Sequence, residues 1–301
     1  MTKLIRTTVF RDKRENVERS GLYRHVWFGL TTLLIGLVFY GSLKTLYSLL
    51  HGNELYSHIL VIPFASGYIL FLKRKEILSD VKYSIGSGGA LLAAGVILYL
   101  KGQSLRSGLS ENDNLSILMS SAWALWVGGF LIFYGWKAAR RASFPLLFLL
   151  FIIPIPDRIL EAFLSLLQSW SAEAVYVFLR ITGISFLRDG FTFHLPGMSF
   201  EVAKQCSGIR SSIALVIISI FSGHLFLRTG WRKLVLVLSV FPVTVLKNGL
   251  RIVTLILLGN YVDQRILSGQ LHRSGGIPFL ILALAFLAPI LWVLRKSEKK
   301  D

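Results

Sequence analysis

The 301-residue chain contains one cysteine. Cys206 lies in the stretch EVAKQCSGIRSS, residues 201–212, among Glu201, Lys204, Gln205 and Arg210, at the head of an apolar run that continues to Leu227. A lone cysteine inside an apolar helix is ordinarily a small buried hydrophobe. Cys206 instead stands before Ser207 and Gly208 at what reads as a helix N-terminus, where the helix dipole and any nearby cation raise the reactive thiolate fraction. A second stretch, VTVLKNGLRIVTL, sets Lys247 and Asn248 four and three residues before Arg251, so the three share one helical face. His272 follows in GQLHRSGG. A thiol, a guanidinium and an imidazole together suit acyl transfer. The thiolate attacks a carbonyl, the cation holds the developing oxyanion, and the imidazole moves the proton. Each residue also has an ordinary role: Arg251 as a cation reaching for the membrane interface, His272 as a solvated loop residue. Their spacing is a weak signal, because Cys, Arg and His have no fixed register for this chemistry.

The elements that must position these residues are membrane spans. Apolar residues make up 53% of the chain, charged residues 16%, and the mean hydropathy is +0.61. Several apolar windows reach the roughly 20 residues needed to cross a bilayer. The sequence predicts an all-α polytopic membrane protein with about eight spans, at 26–49, 57–72, 84–100, 115–136, 142–156, 206–227, 234–258 and 276–294. Residues 1–25 read as a basic cytoplasmic tail, 26–295 as a single membrane-embedded domain, and 296–301 as a second basic cytoplasmic tail.

The net charge of +17 would suggest a nucleic-acid partner in a soluble protein. Here the charge follows membrane topology, and no nucleic acid is expected. With the N-terminus inside, 21 of the 33 lysines and arginines fall in inner segments and 8 in outer ones, although the outer segments include the longest connection. That asymmetry puts both termini in the cytoplasm of a multi-pass cell-membrane protein. Cys206, Arg251 and His272 then lie at one depth, toward the extracytoplasmic face.

The long outer connection, 157–205, has two parts. Residues 157–183 place apolar positions at three- and four-residue spacing, which predicts an amphipathic helix lying on the outer interface or capping the bundle. FTFHLPGMSFEV, residues 191–202, predicts a short β-hairpin turning at Pro196-Gly197, whose second strand delivers the chain to Cys206.

On these residues the chain resembles the exosortase/archaeosortase family of integral-membrane cysteine transpeptidases, over roughly residues 50 to 295. EVAKQCSGIRSS matches a Cys-Ser-Gly segment, LKNGLRI an Asn-x-x-Arg segment, and HRSGG the family's histidine; YSHILVIP, FIIPIP and the Leu-Pro-Gly of 195–197 are weaker matches. The resemblance implies Cys206 as nucleophile, Arg251 as its basic partner and His272 as acid and base. Glu201, Ser207, Gly208, Arg210 and Asn248 fall inside the motifs as supporting residues, and His58 is a softer candidate. It further implies cleavage of secreted proteins at a C-terminal sorting tail made of a short motif (Pro-Glu-Pro in the best-known class), a transmembrane helix and a basic cluster. The released carboxyl group passes to an acceptor, with a surface lipid or polysaccharide as the candidate. A bacterial exosortase fits better than an archaeosortase.

The rival from another class is a transporter or channel whose polar path is lined by Lys44, Lys247, Arg251 and His58. Against it, no two-half repeat is visible and the polar residues gather at the outer end and not the midplane. A zinc-protease His-Glu-x-x-His, a phosphate-binding Gly-x4-Gly-Lys loop and a Gly-x-Ser-x-Gly elbow are all absent from the sequence, so neither metal nor cofactor is expected.

Overall fold

The computed structural model describes residues 21–52, 54–204, 208–262 and 276–298. Helix dominates among them. Eight helices are long and apolar enough to cross a membrane, so the protein is an all-α polytopic membrane protein, with one three-stranded sheet. The chain divides into two compact units, Met1–Asp157 and Arg158–Asp301.

In the first unit, α1 (Gly21–Val38) and α2 (Tyr40–Gly52) are nearly continuous across the buried Phe39. A 3-10 helix (Glu54–Leu60) leads into α3 (Val61–Leu72) and the single turn of α4 (Arg74–Ile77). α5 (Ile85–Ser104) packs along α6 (Glu111–Arg141). Gly88, Gly95 and Gly102 recur every seven residues on α5. A Cβ there would lie 2.5 Å from Ile132, 2.8 Å from Leu125 and 2.7 Å from Leu118 on α6. In lipid, helix association depends on such van der Waals closeness, because apolar burial gives little gain. Ser121 Oγ adds a bond to the Gly95 carbonyl at 2.7 Å.

α6 kinks at Gly135 (φ 84°, ψ 171°), a backbone region essentially reserved for glycine. The Lys82 carbonyl oxygen sits 1.9 Å from where a Cβ on Gly135 would stand, and the Ser84 N–H donates to the Ile132 carbonyl at 3.3 Å.

The expected span at 142–156 is not one regular helix. It consists of α7 (Ser143–Phe148), a 3-10 turn (Leu149–Ile152) and an extended tail, and Asp157–Thr182 takes its place among the eight spanning-length helices. Pro154 and Pro156 explain the irregular tail, since proline removes a donor and biases its predecessor away from helix. Non-helical backbone at membrane depth must find partners within the protein, and α6 supplies them. Trp123 Nε1 donates to the Leu146 carbonyl (2.9 Å), Ser116 Oγ to Pro154 (2.7 Å) and Asn112 Nδ2 to Ile155 (2.8 Å). The segment therefore returns antiparallel along α6. Asp157 ends beside the start of α6, where Asn112 and Ser110 donate to its carboxylate.

In the second unit, α8 (Asp157–Thr182) precedes an antiparallel meander of β1 (Leu187–Asp189), β2 (Thr192–Leu195) and β3 (Met198–Glu201). The hairpin at Pro196-Gly197 forms as expected, with Leu195 opposite Met198 and Gly197 at φ 90°; β1 is an additional strand. α9 (Ile209–Phe226), α10 (Gly230–Leu238), α11 (Val240–Tyr261) and α12 (Gly276–Glu298) complete the unit. One core joins Ala172, Val175 and Leu179 of α8, Phe193, Leu195 and Val202 of the sheet, and Ile252, Val253 and Ile256 of α11. A second joins Leu215 of α9 and Val240 and Val243 of α11 with Ala283 and Leu287 of α12. Both cores share α11, the helix that carries Lys247, Asn248 and Arg251.

Candidate active site

The strand leading to Cys206 is held at its exit. Buried Val202 donates its N–H to the Phe191 carbonyl (2.9 Å) and accepts from Gln168 Nε2 on α8 (2.8 Å). Arg188 of β1 donates to Glu173 of α8 at 2.7 Å, tying the sheet's other edge to the same helix. That hydrogen bond, with the carboxylate charge beside it, holds the Arg188 guanidinium above its ordinary pKa. Glu201 and Lys204 are exposed. Cys206 and Ser207 lie outside the described residues, as does His272.

The chain is described again at Gly208, buried and left-handed at φ 72°. Its carbonyl starts α9 and accepts three bonds, from the Ser212 N–H (3.0 Å), Ser211 Oγ (2.9 Å) and Ser212 Oγ (2.8 Å). A Cβ on Gly208 would stand 3.0 Å from Asn248 Oδ1 and 3.2 Å from Lys247 Nζ. Glycine is required here twice over, by the positive φ and by the approach of α11. Arg210, in the first turn of α9, is exposed.

On α11, Lys247 is 1% exposed and Asn248 0%. Lys247 Nζ donates to Ser211 Oγ on α9, and Asn248 Nδ2 donates to Ser171 Oγ on α8 at 2.9 Å. Gly249 lets α11 close on α8: a Cβ there would meet Ala174 at 2.7 Å and Phe178 at 3.0 Å. Half-buried Arg251 follows one turn after Lys247. Gly208, Asn248 and Lys247 are thus in mutual contact range, with Arg251 on the same helix. Such a turn, opening onto a helix N-terminus beside fixed cations, can hold an anion or a polarised carbonyl oxygen.

His58 and Lys44 belong to the first unit. His58 Nδ1 pairs with the Leu55 carbonyl at 3.1 Å, a bond within its own 3-10 helix, and Lys44 is exposed on α2. Gln168, Ser171 and Ser211 are members of the site that motif reasoning passed over. Gln168 and Ser171 lie three residues apart on a helix and are both buried. A polar pair at that spacing inside an apolar stripe was the signal available in the sequence.

The family model described as transmembrane exosortase matches residues 48–289. Searches of the curated proteins and of the solved structures returned no match. Membership of that family supports a transpeptidase or protease role in the membrane. With a match running from α2 into α12, through the hairpin, the start of α9 and the polar face of α11, the chain belongs to the transmembrane exosortase family.

Proposed function

We propose that the protein is a cysteine transpeptidase that cleaves the C-terminal sorting tails of secreted proteins at the outer face of the cell membrane, with both termini in the cytoplasm. The observation that carries this reading is the convergence of Gly208, Lys247 and Asn248 at the start of α9, two residues after the only cysteine. In the first step the Cys206 sulfur bonds to the scissile carbonyl carbon and Arg251 holds the oxyanion. The carbon–nitrogen bond then breaks, and His272 gives its proton to the departing amine. The upstream protein is left as a thioester. In the second step the hydroxyl or amine of an acceptor, or water, loses a proton to His272 and bonds to the same carbon, and the thiolate departs.

Family membership and the charge asymmetry along the chain support this arrangement. A substrate whose tail spans the bilayer presents the preceding peptide at the interface at high effective concentration, so a short recognition motif suffices. A Pro-Glu-Pro type motif followed by an apolar helix and a basic cluster is the substrate class that fits, with a surface lipid or polysaccharide as acceptor. Glu201, Ser207, Arg210 and Asn248 support the nucleophile's turn, with His58 as a softer candidate.

The test uses the purified protein in proteoliposomes with a tail-bearing substrate. Tail release is expected, and its loss after iodoacetamide treatment. No tail release by the wild-type protein, together with solute flux that survives Cys206→Ala, would replace this reading by the transporter.

A further inference from the structure

α6 opens on the sequence ENDN, and these polar residues divide between two tasks. Asn112 and Asp113 hold the end of the irregular segment, through the Ile155 carbonyl and the Asp157 carboxylate and N–H. Glu111 and Asn114, three residues apart and so on one helical face, line a cavity of about 570 Å³ instead. α5 and the turn after it bring Tyr99, Gln103 and Arg106 to the same cavity at four- and three-residue spacing, and α2 brings Ser42 and Thr45. All of these residues belong to the first unit. Arg106 and Glu111 stand at the helix ends, and Tyr99 lies seven residues before Arg106. At 1.5 Å per residue the cavity therefore runs inward along the helices by about 10 Å.

These polar groups face the cavity without protein partners. Elsewhere in the unit, hydroxyls on apolar helices bond to the carbonyl one turn back. Thr31 and Thr32 do so at 2.9 Å, as do Ser116 and Ser120. Ser42 and Thr45 make no hydrogen bond to any described residue, and neither do Gln103, Arg106 and Glu111. Asn114 Oδ1 is shut off from solvent and accepts no hydrogen bond. Arg106 and Glu111 are exposed, opposite in charge and not paired with each other. Solvation accounts for two charges at the rim of a span. It does not account for Ser42, Thr45 and Asn114, which continue the polar lining below that rim.

The open donors and acceptors specify a ligand. On the α5 side, Arg106, Gln103 and Tyr99 offer donors, which suit a phosphate. On the α6 side, the Glu111 carboxylate and Asn114 Oδ1 require a group that donates. A primary ammonium has three N–H donors, and a trimethylated ammonium has none. Val38, Leu115 and Leu118 extend the wall with apolar side chains, which suit the methylenes of a lipid. The volume lies within the roughly 300–1,000 Å³ of small-ligand sites.

We propose that this cavity binds a phosphoethanolamine group, with its phosphate on Arg106 and its ammonium on Glu111 and Asn114. A phospholipid headgroup and a soluble phosphoethanolamine share this chemistry. The site uses no residue of the reaction proposed above, so the two stand or fall separately.

Full-length protein in detergent is titrated with phosphatidylethanolamine, phosphatidylcholine and phosphatidylglycerol of identical chains, and bound lipid is measured by native mass spectrometry. Phosphatidylethanolamine should bind about tenfold more tightly than the other two, the difference that one set of charge-assisted hydrogen bonds makes. Arg106→Gln and Glu111→Gln should each weaken it about tenfold. Both side chains are exposed, so both variants should insert normally. Gly41 lines the cavity, and a Cβ there would meet nothing within 4 Å. Gly41→Phe should therefore block binding without removing a polar group, and it serves where a charge variant does not insert. Displacement by free phosphoethanolamine would identify a soluble ligand, and retention against it the lipid; either result supports the site. Equal binding of the three lipids, unchanged in every variant, marks ordinary boundary lipid and overturns the proposal. A preference for phosphatidylglycerol that only Arg106→Gln removes marks a plain anion site and overturns it as well.

Discussion

Cys206→Ala is expected to abolish tail processing, with a loss of at least about 10³-fold, and uncleaved precursors of tail-bearing surface proteins should accumulate in the native host. The change removes one sulfur from a residue that has no intrachain disulfide partner. It should leave the protein inserted at wild-type levels, a point checked by immunoblot of the membrane fraction. No other thiol can take over, and a serine or water lacks the low-pKa nucleophile that thioester formation needs. Normal processing in a stably inserted mutant would make Cys206 a packing residue and move the account toward a transporter.

Arg251→Met comes next in expected size, at about 10²–10³-fold on kcat with little change in KM. The guanidinium's partner in the account is charge that develops on the carbonyl oxygen in the transition state, so the ground-state complex loses little. Methionine keeps the unbranched apolar stem, so the packing of α11 with the sheet through Ile252, Val253 and Ile256 should survive. Arg251→Lys should recover only part of the rate. A single ammonium lacks the planar fork that fixes two parallel hydrogen bonds. Steady-state cleavage of a tail-bearing substrate by each purified variant gives the numbers. A rise in KM alone would reassign Arg251 to uniform substrate binding.

The local features of the fold were readable where they depend on local chemistry. Pro196-Gly197 sets its own turn, since proline fixes one φ and glycine supplies the positive one, and the strand formers around it do the rest. Eight spans follow from hydropathy alone, but which segments form them does not. The stretch 142–156 is apolar enough to look like a helix, and only its bonds to Trp123, Ser116 and Asn112 make an irregular path acceptable. The segment 157–182 carries the alternation of an interfacial helix, yet also the length and apolar content to span. The kink at Gly135 has no sign in YGWKAARR beyond the glycine itself, and the carbonyl that leaves no room there for a Cβ belongs to Lys82, some fifty residues earlier in the chain.

The site divides in the same way. The sequence marks Gly208, Asn248 and Arg251 through their motifs. It cannot show that Gln168 secures the strand before the cysteine or that Ser171 holds Asn248, since both are tertiary bonds to a helix read as peripheral. Lys247 was visible as a cation in a span, and its place in the rival transporter path came from that fact alone. Its bond to Ser211 and its closeness to Gly208, beside the turn before α9, are tertiary contacts that the sequence does not show.

The central claim is a covalent one: Cys206 carries the upstream part of the substrate as a thioester. The most direct measurement mixes purified protein with a tail-bearing substrate, quenches in acid within the first turnovers, and weighs the peptide that contains Cys206. The account predicts a mass increase equal to the acyl portion of the cleaved substrate, removed by neutral hydroxylamine and absent when the thiol is alkylated beforehand. Tail release at full rate with the Cys206 peptide unmodified throughout, and undiminished by prior alkylation, would contradict it.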